Sequence, residues 1–164
     1  MVSSTIHNNS IDPMYQDLLD EYPGTPPEAI EAALQFMKIA ANLHIRQESL
    51  FSQFGLTTGR FSLLMMLRHE PKKELPPSEL AKRAHVSRAT MTQFVDGLEK
   101  EQLIVRADDP NDRRTVLVRL TPKAEKLLKN VLPSHLERLV EFTSVLSRKE
   151  RKELFLLMEK LIRE

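Results

Sequence analysis

The side chains best spaced to do chemistry together lie in the middle of this sequence. Arg88, Ala89, Thr92 and Gln93 share one face of any helix built there, and Ser87 stands just before them, where a hydroxyl can cap the first amides. Gln93 can pair bidentately with adenine, Arg88 can reach guanine or a phosphate, and Ala89 or the Thr92 methyl can meet a thymine methyl. Ser87 and the free amides of a helix N-terminus offer donors to a phosphate. Further along, Arg113 and Arg114 follow the turn-forming run Asp109-Pro110-Asn111-Asp112, and Asp112 is placed to orient a guanidinium. An arginine-tipped hairpin of this kind can reach the minor groove beside a helix that lies in the major groove. Taken alone, the helix face would also fit an ordinary solvated surface. The hairpin beside it turns the reading toward double-stranded DNA.

These residues need elements to hold them. Met91, Phe94, Val95 and Leu98 follow the i, i+3, i+4, i+7 pattern, so they face a core and leave the polar side, with Asp96, outward. Gly97 lowers helix stability by about 1 kcal/mol relative to alanine, and is read as clearance for a phosphate backbone. Ser78-Glu79-Leu80-Ala81 opens a shorter helix with Leu80, Ala81 and Ala84 inward; His85-Val86-Ser87 is the turn, with Val86 plugging the corner. The spacing thus predicts a helix-turn-helix over 76–101. Two strands follow over 103–107 and 114–120, a two-stranded ribbon with Val116, Val118 and Leu120 on its packed face.

Long helices flank this module. Thr25-Pro26-Pro27-Glu28 predicts a helix start with Thr25 as cap, and Ile30, Ala33, Leu34, Met37, Ala40, Ala41, His44 and Phe51 recur at helical spacing to Phe54. Gly55 ends that helix, and Thr57 or Thr58 caps another that carries Phe61, Leu64, Met65 and Leu67 to His69. Thr121-Pro122 starts a long helix with Leu127, Leu128, Val131, Leu132, Leu136, Leu139 and Val140 inward and a kink expected at Pro133. Ser147-Arg148-Lys149-Glu150 is a capping box opening a last helix with the stripe Leu154, Leu157, Met158, Leu161 and Ile162. Residues 1–24 read as a flexible acidic arm with a helical turn around Tyr15–Leu19. The fold class expected is mainly α with a small antiparallel β-ribbon.

With 164 residues, 41% of them hydrophobic, the chain can bury one core. Its net charge is only +1, but residues 1–31 hold six acids and no Lys or Arg, which leaves 24 bases against 17 acids elsewhere, a net +7. A basic body with an acidic arm suits contact with phosphate on one surface. The absence of cysteine excludes disulfides, thiolate metal sites and thiol switching. No apolar run approaches the roughly 20 residues that span a bilayer, and the N-terminus lacks the pattern of a secretory signal, so no membrane contact and a cytoplasmic location are expected. His7, His44, His69, His85 and His135 have no metal-ligand spacing. No phosphate loop, nucleophile elbow or dinucleotide fingerprint is present, so neither enzyme activity nor a cofactor is expected.

Asp109-Pro110-Asn111-Asp112-Arg113-Arg114, with Val116 through Thr121 behind it, resembles the wing signature of the MarR (multiple antibiotic resistance regulator) family. Ser78-Glu79-Leu80-Ala81, Val86-Ser87-Arg88-Ala89-Thr90 and Leu98-Glu99 are similar to that family's helix-turn-helix. The likeness spans residues 28–164. It implies a winged helix-turn-helix at 58–120 with dimerisation helices at 25–54 and 121–164, and a homodimer on a pseudo-palindromic operator. It also implies a transcriptional regulator, most often a repressor released by a small aromatic or anionic ligand. By the resemblance Arg88, Ala89, Thr92 and Gln93 take a groove role, Arg114 a minor-groove role, and Asp112 the task of orienting that arginine. An effector pocket is implied between the first two helices and the winged domain, with His44, Arg60, Phe61 and Met65 as candidate lining residues. The plainer reading is a buried or interface histidine for His44, a core side chain for Met65 and a surface side chain for Arg60.

The sequence departs from the family pattern at four places. Gln102 stands where glycine usually ends the second motif helix, which implies either a strained left-handed residue or a different helix end. Pro76 replaces a capping threonine, and Gln93 and Gly97 are often basic in relatives. The departures at Gln93, Gly97 and Gln102 support an alternative: a dimeric winged-helix interaction module that has lost operator binding and acts through another protein.

Overall fold

The computed structural model describes residues 13–110, 112 and 115–162. Asn111, Arg113, Arg114 and residues 1–12 lie outside the described residues, so the expectations for both wing arginines do too. The element order is α1 (Pro13–Glu21), α2 (Pro27–Ser52), α3 (Thr58–His69), β1 (Glu74–Leu75), α4 (Pro77–Arg83), α5 (Arg88–Lys100), β2 (Ile104–Asp108), β3 (Val116–Leu120), α6 (Pro122–Thr143) and α7 (Arg148–Ile162). The chain divides into two compact units, residues 1–46 and 47–164, with α2 running from one into the other.

In the first unit the expected flexible arm is helical over residues 13–21, more than the single turn read from sequence. α2 begins one residue later than predicted. Pro26 rather than Thr25 holds the cap position, and its carbonyl accepts from the amides of Ala29 (3.1 Å) and Ile30 (3.4 Å). Most of the apolar stripe on α2 has no cover within this unit: Ala33, Met37, Ala40 and Ala41 are exposed. His44, expected to be buried or at an interface, is exposed in the single chain as well.

The second unit holds the core. Phe51, Leu64, Leu67, Leu80, Val95, Leu98, Ile104, Val118, Leu128 and Val131 are fully buried, so α3, α4, α5, the sheet and the first half of α6 close around one apolar centre. α2 ends in a Schellman motif: the amide of Leu56 donates to the Phe51 carbonyl, that of Gly55 to the Ser52 carbonyl (both 3.0 Å), and Gly55 takes φ +71°. Thr57 caps α3 by accepting from the Arg60 amide.

The sheet has three strands in the order β1-β3-β2, all antiparallel, rather than the expected two. β1 is only Glu74–Leu75, too short to show a period in sequence, and sets Glu74 opposite Arg119, with 2.7 Å from Arg119 Nε to Glu74 Oε2. On β3 the buried residues are Leu117, Val118 and Leu120, while Val116 is exposed. The predicted alternation fails at Leu117, which is buried although it points to the face opposite Val118.

α6 continues past Pro133 to Thr143. Its N-terminal half is covered, but Leu136, Leu139 and Val140, expected inward, are exposed, and α7 buries none of its residues. The capping box that opens α7 is formed reciprocally: the Ser147 amide donates to Glu150 Oε2 (2.7 Å) and the Glu150 amide to Ser147 Oγ (3.3 Å).

Candidate nucleic-acid interface

The helix pair α4–α5 is built by local backbone chemistry. Pro76 caps α4 with no side-chain bond, as its lack of a hydroxyl requires, and Pro77 supplies the preset φ of the first turn. α4 then closes with the same Schellman pair as α2. Val86 N donates to Ala81 O (3.1 Å) and His85 N to Lys82 O (3.2 Å), with His85 at φ +52°. Val86 is half-buried against the core, as a corner plug should be. Ser87 turns the chain into α5, its Oγ accepting from the Thr90 amide (3.0 Å) and lying 2.8 Å from Thr90 Oγ1.

α5 buries Met91, Val95 and Leu98 and half-buries Phe94. The opposite side is open: Ser87, Arg88, Ala89, Thr92 and Gln93 are all exposed and contiguous. Thr92 Oγ1 donates its proton to the Arg88 carbonyl (3.0 Å), so outward it offers only lone pairs and a methyl. This face combines one cation, one amide with donor and acceptor, and two methyl groups. Such a surface can read base edges, and it carries no nucleophile–base pair.

Two glycines set how α3 meets α5, and sequence reasoning missed one and misread the other. A Cβ on Gly59 would sit 2.6 Å from Cζ of Phe94, so glycine is what lets α3 lie this close to the Phe94 ring. A lone glycine near the start of an otherwise good helix was the available signal. Gly97 does not clear a phosphate as expected. It faces α3, where an added Cβ would lie 3.8 Å from the guanidinium of Arg60. That guanidinium pairs with Glu101 at 2.7 Å.

The far end of α5 closes on Gln102, which takes φ +59°. Leu103 N donates to Leu98 O (2.9 Å) and Gln102 N to Glu99 O (2.8 Å). Of the two outcomes open for Gln102, the left-handed residue is the one observed. Lys123 Nζ donates to Glu101 O (2.8 Å) and Thr121 Oγ1 to Gln102 O (2.9 Å), so the carbonyls of the cap residue and the one after it are satisfied by the start of α6.

Arg106 on β2 spans two acids of α5. Its Nη2 lies 2.6 Å from Asp96 Oδ1 and its Nη1 bonds Glu99 Oε2. The Asp96 hydrogen bond and the charge of Glu99 hold its pKa above the ordinary arginine value. In the turn between β2 and β3, Asp109 N donates to Thr115 O (3.0 Å) and Thr115 N to Asp112 O (2.9 Å). Thr115 Oγ1 also donates to Asp112 Oδ2 (2.9 Å). Asp112 is exposed.

The candidate ligand residues are distributed differently. His44 belongs to the first unit and Arg60, Phe61 and Met65 to the second. Phe61 is core: it stacks on Phe51 (4.2 Å between centroids) and meets His135 edge-on (5.0 Å). Met65 is half-buried against the core, and Arg60 is half-buried rather than a free surface side chain. His135, which the sequence did not single out, completes this ring cluster. Burial holds its pKa below the usual histidine value.

The model of the MarR family matches residues 56–116. The chain is 29% identical over 130 residues to the HTH-type transcriptional repressor YetL of Bacillus subtilis, covering 77% of this chain and 78% of that protein. It is 30% identical over 126 residues to the transcriptional repressor MprA of Escherichia coli, covering 77% and 72%. Among solved structures it is similar to Sco3205, a MarR family transcriptional regulator of Streptomyces coelicolor in complex with DNA. The TM-score is 0.77 at 24% identity, over 84% of this chain and 87% of that one.

Proposed function

This chain belongs to the MarR family of transcriptional regulators, and from that premise we propose that it represses transcription by binding a pseudo-palindromic operator as a homodimer. The observation that carries the proposal is the exposed face Ser87, Arg88, Ala89, Thr92 and Gln93, presented by a helix whose other side is sealed into the core. α5 enters the major groove, Gln93 and Arg88 read base edges, and the Ser87 end of the helix meets a phosphate. Arg113 and Arg114 reach the flanking minor groove, with Asp112 orienting Arg114.

The dimer is supported by apolar surface with no cover in one chain. Leu136, Val140, Phe155, Leu156, Leu161 and Ile162 are each more than half exposed, an apolar display that soluble proteins seldom leave wet. A two-fold axis sets the half-sites about one helical turn apart, roughly 34–36 Å. Release by a small aromatic or anionic ligand, with Arg60 and Met65 of the second unit as candidate contacts, completes the proposal. Among the described residues no helix is long and apolar enough to cross a membrane.

Selection of bound duplexes from a random pool tests the function. A recovered palindrome and a steep fall of affinity with salt, about −0.9 per neutralised phosphate on the log–log plot, are the expected results. Arg114→Ala should weaken binding on every sequence, whereas Gln93→Ala should relax preference at one base pair. A shallow slope with no preferred site would favour an interaction module acting through another protein.

A further inference from the structure

The groove-facing side of α5 also carries acid. Asp96 stands three residues beyond Gln93 and four beyond Thr92, which places it on the same exposed face, and its side chain is 58% exposed. Glu99 lies one turn further and is 37% exposed. Two carboxylates on a helix entering a groove would meet the phosphate charge with repulsion. They are not left free. Both are taken up by one guanidinium, that of Arg106, which is carried on β2 opposite Val118 in the sheet. The strand, unlike a loop, gives that side chain a fixed origin.

We propose that Arg106 is a positioning residue for DNA binding that acts without touching DNA: it clamps Asp96 and Glu99 of α5 against β2, turning both carboxylates from the phosphates and cancelling part of their charge. The same clamp joins the wing strand to the groove helix, so the two parts of the DNA surface move as one. The proposal rests on α5 being the groove helix. It differs from a stability role, because an ion network this exposed contributes little to folding.

The test uses the full chain and a duplex that the wild type itself has selected. Affinities are measured by fluorescence anisotropy at several salt concentrations for the wild type, Arg106→Ala, the pair Asp96→Asn with Glu99→Gln, and the three changes combined. Arg106→Ala should bind about tenfold more weakly with nearly unchanged thermal unfolding, a loss that shrinks as salt screens the exposed carboxylates. The triple variant should recover to within about threefold of wild type, because the acids that needed the clamp are gone. If the single variant binds like wild type, the proposal is overturned while the groove reading stands. It is equally overturned if the triple variant stays as weak as the single one, since Arg106 would then contact DNA itself or only support the fold. A wild type that enriches no duplex overturns the groove reading and this proposal with it.

Discussion

Replacing Gln102 with glycine should make this protein more stable. Gln102 occupies the left-handed region at φ +59°, as the residue that closes α5. The same two backbone bonds close α2 around Gly55, so the molecule contains its own reference for the motif with the residue type that suits it. A side chain in this region costs roughly 1–2 kcal/mol, because its Cβ crowds the carbonyl oxygen. Glycine removes that crowding but leaves a looser unfolded chain, which offsets about 0.5–1 kcal/mol of the gain. The net stabilisation is about 0.5–1 kcal/mol. For a chain of 164 residues that corresponds to an increase of roughly 1–4 °C in Tm. The side chain of Gln102 is exposed, and its carbonyl keeps the bond from Thr121 in either variant, so little else changes. Thermal unfolding by circular dichroism, at one fixed protein concentration because a dimer's Tm depends on it, reads the effect. Gln102→Ala keeps the strained backbone and should gain nothing. A glycine variant that melts at or below wild type, or an alanine variant that gains as much, would refute strain as the reason. Because Gln102 lies at the far end of α5 from Ser87, affinity for a selected duplex should not move.

The two glycines between α3 and α5 should respond in opposite ways. Gly59→Ala pushes a Cβ into the Phe94 ring and should destabilise by about 1–3 kcal/mol, with weaker DNA binding as α5 is displaced. Gly97→Ala meets Arg60 only at ordinary contact distance and should be neutral or stabilise by up to about 1 kcal/mol. Denaturant titrations of both variants decide this. His135 makes stability depend on pH. Burial lowers its pKa in the folded state below the ordinary value of 6.5, so the unfolded chain binds more protons in that interval. Its contribution is complete above about pH 6.5 and is lost as pH falls through the folded value. Tm should therefore drop on acidification from neutral pH, and less so in His135→Phe, which keeps a ring against Phe51 and Phe61.

Local chemistry alone made much of this protein readable. Ser87 as a cap, Gly55 as a helix end, the reciprocal bonds of Ser147 and Glu150, and the inward stripe of Met91, Val95 and Leu98 depend on residues within a few positions of each other, so periodicity and capping rules reach them. The exposed face of α5 followed directly, being what the buried stripe left over. The third strand was invisible because two residues carry no period, and Glu74 becomes a strand only by finding Arg119 across 45 positions of chain.

Tertiary structure decided the rest, wherever a residue's meaning comes from a partner distant in sequence. Gly97 faces Arg60 rather than a phosphate, Gly59 exists for Phe94, and Asp96 and Glu99 are held by Arg106 from another element. The apolar stripes of α6 and α7 were legible as stripes. Whether one chain covers them is a matter of packing, and the fold seals the first half of α6 while leaving its second half and α7 open. Spacing along a chain reports which side of a helix is greasy; only the folded neighbours determine what lies against it.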